Sequence, residues 1–303
     1  MDLNADNLNT FFRNFRALSA EGIGTAKPRW NQVAMEVPST GSQNDYGWLQ
    51  DLPGMREWIG EREIKNLASA SYTIVNKDFE VTVSVKRNDI EDDQIGVYAP
   101  MFRALGENVA YSPDEIVFGL LPLGFTAKGY DKKPFFSDAH PVGKGTFSNS
   151  GKKKLSETAF EAALATMQGQ KKSNGQPANV FMGTDDQAPL LVVGPTNRAT
   201  AQKIVGSKTV NGGDDNPNYG AARILVLPEL SGSNEDMWFL LDVSRQVRPL
   251  ILQRRKQPTF VRKDAATDEN VFNRNVLVYG YDDRKNAGYG LWQLAFGSEG
   301  TDP

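Results

Sequence analysis

The only histidine of the chain, His140, lies in the run FFSDAHPVG from Phe135 to Gly143, with Asp138 two positions before it and Pro141 directly after. An imidazole beside a carboxylate is raw material for two chemistries. It could serve as the base of a Ser-His-Asp triad completed by distant residues. Alternatively, Asp131, Asp138 and His140 could hold a metal ion. Neither mechanism is completed by the residues nearby. Asp138 is placed to close an Asx-turn, and the proline biases His140 toward extended backbone, so the run reads foremost as a structural loop.

Other reactive constellations fail on residue type or spacing. The absence of cysteine removes disulfides, thiolate nucleophiles and zinc-cysteine sites together. A phosphate loop needs Gly, four residues, then Gly-Lys-Ser/Thr. GKG (143–145) and GKK (151–153) lack both the upstream glycine and the following hydroxyl. No Gly-x-Gly-x-x-Gly follows a strand pattern, there is no Gly-x-Ser-x-Gly elbow, and a zincin helix would need two histidines. Asp89, Glu91, Asp92 and Asp93 do not follow a calcium loop, which has a glycine at its sixth position and a distant Glu. They suit the positive end of a helix dipole. These absences count against hydrolase, kinase and dehydrogenase readings, and no cofactor is expected.

Charge gives one asymmetry. The whole chain has 37 acids, 34 bases and a net charge of -3, without a global nucleic-acid signature. The segment 245–263, however, carries Arg245, Arg248, Arg254, Arg255, Lys256, Arg262 and Lys263 and no acid. Two readings stand: a solvated face or inter-subunit ion pairs, and sequence-blind, salt-sensitive contact with phosphate backbone.

The elements that must position these groups mix helix and strand. LNTFFRNFRAL (8–18) puts Leu8, Phe11, Phe12, Phe15 and Leu18 on one side of a helix, either docked on its own core or reaching as an arm for a groove on another chain. An extended connector follows to about Tyr46, then a loop bearing Trp48, Leu49, Met55, Trp58 and Ile59. A long hairpin is expected next, with strand 71–75, a turn at Asn76–Asp78, and a second strand in which Phe79, Val81, Val83 and Val85 share one face. An isolated hairpin is marginal in water, so its apolar tip points to a partner subunit. Helix is expected from Asp93 to Leu121, ending near Pro122, either restarting at the SPDE capping box (112–115) or running as one long bent helix. Ser156 caps a helix to about Gln168, stapled by Leu155 and Phe160. A strand in NVFMG, the buried strand LLVVG, a Thr196-capped helix stopped by Gly206, a polar loop at 206–221, and strands in ARILVLPEL and MWFLLDV follow. A final hairpin is expected to turn near Arg284–Gly288. The class is α+β. The acidic start and an apolar run (116–125) broken by Pro122 argue against an export or membrane segment, so the protein is expected to be cytosolic when made.

Several stretches together resemble the major head subunit of Mu-like tailed bacteriophages: WIGERE (58–63), YTIVNKDFEVTVSVKRNDIEDD (72–93), SPDEIVFGLLPLGF (112–125), YDKKPFFSDAHP (130–141), LLVVGPTNRATAQKI (190–204), WFLLDVSRQVRPLILQRRKQP (238–258) and YGYDDRKNAGYGLWQLAFGS (279–298). The resemblance runs from about residue 45 almost to the end. Lys132 departs from it, standing where the pattern favours glycine. The resemblance implies the tailed-phage major capsid fold of the Hong Kong 97 type. It implies an N-terminal arm (1–44), an extended β-hairpin loop (45–88), a peripheral domain with a spine helix (89–174), an axial domain (175–262) and a return to the peripheral domain (263–303). The implied function is a non-enzymatic major capsid protein whose hexamers and pentamers form an icosahedral head around double-stranded DNA, bound without sequence specificity. The implied partners are further copies of itself, a scaffolding protein, a portal and a decoration protein, with no membrane. The implied location is the virion, after assembly in host cytoplasm. Phe11, Phe12, Phe15, Trp48, Met55, Trp58, Ile59 and Arg62 are the candidate inter-subunit contacts, and the seven bases of 245–263 the candidate DNA-facing or inter-subunit cations. A cellular nanocompartment shell of the same fold, and a soluble hydrolase centred on His140, are the alternatives.

Overall fold

The computed structural model describes residues 5–49, 72–92, 95–143, 145–172, 175–180, 188–210 and 212–302. The chain enters through α1 (Ala5–Thr25), β1 (Ala34–Pro38), β2 (Gln43–Asp45), β3 (Thr73–Val75) and β4 (Lys77–Lys86). It continues through α2 (Arg87–Glu91), α3 (Ile95–Phe118), α4 (Leu120–Leu123), β5 (His140–Val142), β6 (Gly145–Phe147), β7 (Ser150–Lys153) and α5 (Glu157–Gln168). Then come β8 (Leu190–Val193), α6 (Arg198–Ala201), β9 (Thr209–Val210), β10 (Asp214–Asp215), β11 (Arg223–Val226) and β12 (Trp238–Leu241). The last elements are β13 (Leu250–Lys263), α7 (Glu269–Arg274), β14 (Val276–Tyr289) and β15 (Ala295–Asp302).

A four-stranded sheet of order β1-β13-β14-β4 is covered on one face by α1 and α3. Strand alternation puts Val81, Val83 and Val85 of β4, Phe260 of β13, and Leu277, Tyr279 and Tyr281 of β14 into this layer. Phe15 stacks on Phe102 at 4.0 Å and meets Tyr279 edge-on at 5.2 Å. Helices α1 and α3 touch backbone to backbone. A Cβ on Gly22 would lie 2.0 Å from the Arg103 carbonyl oxygen, and one on Gly106 2.0 Å from that of Ser19. The apolar stripe of 8–18 is thus turned onto its own chain, the docked reading of that helix.

A second, five-stranded sheet has the order β11-β8-β12-β15-β7. Its centre is built from LLVV (190–193) and WFLL (238–241), buried at every position, as continuous apolar runs in a two-sided sheet should be. The sheet takes β7 and β15 from outside 175–262. Beside it, α5 begins as expected: Ser156 Oγ accepts from the Ala159 amide at 3.2 Å, and Leu155 and Phe160 are buried.

Three expectations give way to tertiary context. Strands β3 and β4 do not pair with each other; β3 pairs with β2, and β4 with β14. Asn76 between them is a buried kink, its amide donating to Ser42 and its Nδ2 to Ser39 Oγ and the Gly41 carbonyl. Helix α3 passes through Pro113 without restarting at Ser112, and the Asp114 carboxylate accepts the Arg29 and Trp30 amides at 2.9 and 2.7 Å. Thr196 likewise caps no helix: α6 begins behind Asn197, and the Thr196 hydroxyl donates to Glu235. Strand β14 runs unbroken through 284–288, where a turn was expected, because β13 and β4 hold it on both sides through Lys285. The chain leaves the sheet only at Gly290, whose amide donates to the Pro249 carbonyl.

Candidate functional site

The turn that leads to His140 is tight: the Lys132 amide donates to Gly129, and Lys132 adopts left-handed backbone at φ 65°. That conformation favours glycine, which accounts for the residue type expected at this position. His140 itself is fully buried. Its ring lies flat on Trp292, centroids 4.0 Å apart and planes within 4°. Nδ1 faces Asp131 Oδ2 at 2.5 Å and Nε2 faces Asn149 Oδ1 at 3.0 Å.

Asn149 fixes the direction of these bonds. Its Oδ1 accepts from the Ser137 amide at 2.8 Å, while Nδ2 donates to the carbonyls of Phe135, Trp292 and Ala295 at 2.8, 3.2 and 3.1 Å. Nε2 must therefore donate to Asn149, while Nδ1 meets the Asp131 carboxylate. Every polar position of the ring is occupied by protein and both its faces are enclosed. This is a buried polar clasp tying residues 131–149 to 292–297, with no room for a nucleophile or substrate. Asp138 makes no bond to the ring, and no group of three or more metal-ligating side chains occurs among the described residues.

The cations of 245–263 are mostly committed within the chain. Arg245 donates to the Ala178 and Asn179 carbonyls and Arg248 to that of Val243. Burial pulls the Arg248 guanidinium below its ordinary pKa, helped by the Arg223 charge. Arg254 pairs with Glu36 at 2.9 Å, Lys256 with Asp282 at 2.6 Å, and Arg262 with Asp264 at 3.5 Å. Arg262 also lies over the Phe12 ring at 4.6 Å. Arg255 and Lys263 are exposed and form no ion pair among the described residues.

Of the candidate apolar contacts, Phe11 and Phe15 are buried in this chain, Phe12 stacks on Phe260 at 5.4 Å, and Trp48 is half-buried against the core. Met55, Trp58, Ile59 and Arg62 lie outside the described residues.

Sequence reasoning missed a cavity of about 420 Å3 between β4, β14 and α3. Phe79, Val81, Val109 and Tyr281 form its apolar wall, Glu115 and Asp283 are its acidic lining on the inner face, and Glu80 and Asp282 border it from strand positions of the opposite face, where Asp282 pairs with Lys256. The lining's cation, Lys285, is buried in an ion pair with Asp283 and sits over the Phe79 ring at 4.9 Å. Burial lowers the Lys285 pKa, and the Asp283 hydrogen bond partly restores it. Asp283 Oδ1 is buried with no hydrogen-bond partner. The only sequence signal was the alternation Leu277, Tyr279, Tyr281, Asp283, Lys285, which continues the inner face into charged residues.

Comparison with known proteins covers nearly the whole chain. The family described as Mu-like prophage major head subunit gpT matches residues 8–153, 146–230 and 229–301. The Mu-like prophage FluMu major head subunit of Haemophilus influenzae is 33% identical over 290 residues, 96% of this chain and 71% of the relative. The major capsid protein of Escherichia phage Mu is 32% identical over 279 residues, 92% and 69% of the two chains. Among solved structures, the procapsid of bacteriophage JBD30 superposes with a TM-score of 0.62 at 31% identity, covering 98% of this chain and 76% of that one.

Proposed function

We infer, from the premise that this chain belongs to the Mu-like prophage major head subunit family and is a phage major capsid protein, that it closes an icosahedral head from hexamers and pentamers of itself. The observation that supports this best is the family match running from residue 8 to residue 301, in a chain whose sole histidine is sealed inside a hydrogen-bonded clasp. The work of the protein is then physical and needs no cofactor or catalysis. Many weak, repeated contacts close a shell, and one subunit meets five- and six-fold surroundings by small adjustments.

The segment around Met55, Trp58, Ile59 and Arg62 supplies contacts to neighbouring subunits. Phe11 and Phe15, spent on the core, contribute by fixing α1 in place. Assembly takes place in host cytoplasm with a scaffolding protein, a portal and a decoration protein. Packaged double-stranded DNA is held without sequence specificity, and Arg255 and Lys263 are the two bases of 245–263 free to meet it.

Trp58→Ala tests the assembly reading: the variant should fold, with unchanged circular dichroism, yet lose closed particles. Normal shells from it would refute the assignment of that segment. Arg255→Ala with Lys263→Ala should weaken DNA retention in filled heads most at low salt. Unchanged retention across a salt series would free both residues from that role.

A further inference from the structure

We propose that the outer edge of β4 pairs antiparallel with β4 of a second copy across a two-fold axis that passes through Thr82. The inference rests on the capsid reading above and names one contact within it.

Strand β4 ends the four-stranded sheet, and among the described residues no strand pairs with its outer edge. The Arg87 amide donates to the Asn275 carbonyl, continuing the register in which Lys86 faces Val276. An antiparallel ladder is hydrogen-bonded at every second pair, so the odd-numbered residues of β4 direct their amides and carbonyls to β14. A Cβ on Gly280 would lie 2.6 Å from the Val81 carbonyl oxygen, which agrees with that direction. The amides and carbonyls of Glu80, Thr82 and Ser84 therefore point outward, and they have no backbone partner among the described residues. The Lys86 amide, next in the row, already meets the Tyr98 hydroxyl.

The same sheet guards its other long edge. Beyond β1, strand β13 carries Pro258, two register shifts and the bases Arg255, Lys256, Arg262 and Lys263. Proline, bulges and clustered charge are the devices that keep strand edges from pairing. Strand β4 has none of them: its ladder with β14 is unbroken, it contains no proline, and Val81–Val85 holds no charge. On its helix-facing side Phe79, Val81 and Val83 are only half-buried. One edge is closed to partners and the other is left open.

The sequence of β4 selects its own copy as the occupant. With Thr82 on the axis, Glu80 faces Ser84 and Asp78 faces Lys86, and the pairs repeat on the far side. Val81 then faces Val83 and Phe79 faces Val85, so apolar meets apolar on the helix-facing side. A slip of one residue would set the apolar row against the polar one. A slip of two sets Glu80 against Lys86, whose amide is occupied, or Asp78 against Ser84 with no charge pair. Asp78 is 85% exposed and held only by Arg284 at 3.4 Å, while Lys86 is exposed and forms no ion pair among the described residues. Contacts around a ring of five or six run head to tail, whereas an isologous contact joins one ring to the next.

The test uses full-length subunits assembled with the phage's other head proteins, in a chain that has no native cysteine. Opposed residues of a hydrogen-bonded pair lie about 5.5 Å apart at Cα, within disulfide reach. Thr82→Cys alone should therefore pass mostly into a disulfide dimer when its particles are mildly oxidised. Glu80→Cys and Ser84→Cys should each stay unlinked, because each lies about 13 Å from its own counterpart, and should link only when mixed in one particle. Thr82→Pro removes an amide that β14 does not use, so the variant should keep the wild-type melting temperature and form rings that do not close into shells. The cysteine variants decide the contact whether or not Thr82→Pro folds. Unlinked Thr82→Cys in closed shells, dimers from Glu80→Cys or Ser84→Cys alone, or closed shells from Thr82→Pro would each overturn this contact and leave the capsid reading standing. Failure of the wild-type chain to assemble under the same conditions would remove the capsid reading, and this contact with it.

Discussion

Asn149 shows how much of this structure hangs on single polar side chains. Fully buried, it satisfies three carbonyls, one amide and the His140 ring at once. Asn149→Asp would turn a carboxylate oxygen toward three carbonyl oxygens; that of Trp292 keeps the Ala295 amide, while those of Phe135 and Ala295 lose the Asn149 donor. At about 1–3 kcal/mol for each buried group stranded, denaturant unfolding should show a loss of roughly 2 kcal/mol or more. Lys132 is the reverse case, a side chain in backbone that suits glycine. Left-handed backbone costs an L-residue about 1–2 kcal/mol, offset by the greater freedom of an unfolded glycine, so Lys132→Gly should stabilise by up to about 1 kcal/mol. A lower melting temperature for that variant would show that the Lys132 side chain makes a compensating contact.

At the scale of elements, the crossing of α1 over α3 decides whether Phe11 and Phe15 remain in the core. Gly106→Ala places a Cβ against the Ser19 carbonyl, so α1 must shift or detach. The expected result is a destabilised subunit in which protease removes the first helix early; intact protection of α1 would show that the crossing relaxes at little cost. Which elements were legible in the sequence follows from the same competition between local and distant contacts. The alternation of β4, the Ser156 cap and the apolar runs of β8 and β12 carry their own local signals and form as expected. The turns expected at Asn76–Asp78 and Arg284–Gly288 also had local signals, but partners far along the chain override them. The His140 loop was legible as structure from Asp138 and Pro141, though the ring's partners Asp131 and Asn149 carried no signal of that role.

The whole molecule carries many buried phenols. Burial raises the Tyr72 hydroxyl to about 12 and lifts Tyr130, Tyr279 and Tyr289 further above the ordinary value of 10.0. Between that ordinary value and the raised ones the folded state binds more protons than the unfolded state, so stability must fall as pH climbs above about 10. Phenolate absorbance of these residues should therefore rise together with loss of helix; ionisation well before unfolding would mean that they are open to solvent. At the same scale, three of the seven bases of 245–263, Arg254, Lys256 and Arg262, pair with carboxylates inside the subunit. The central claim is that this chain exists to build a shell. The most direct measurement is the particle size of the purified full-length protein, alone and with the phage's other head proteins, by sedimentation and negative-stain electron microscopy. The account predicts rings of five or six, tubes or closed shells. A stable monomer that stays monomeric with every head protein present would contradict it.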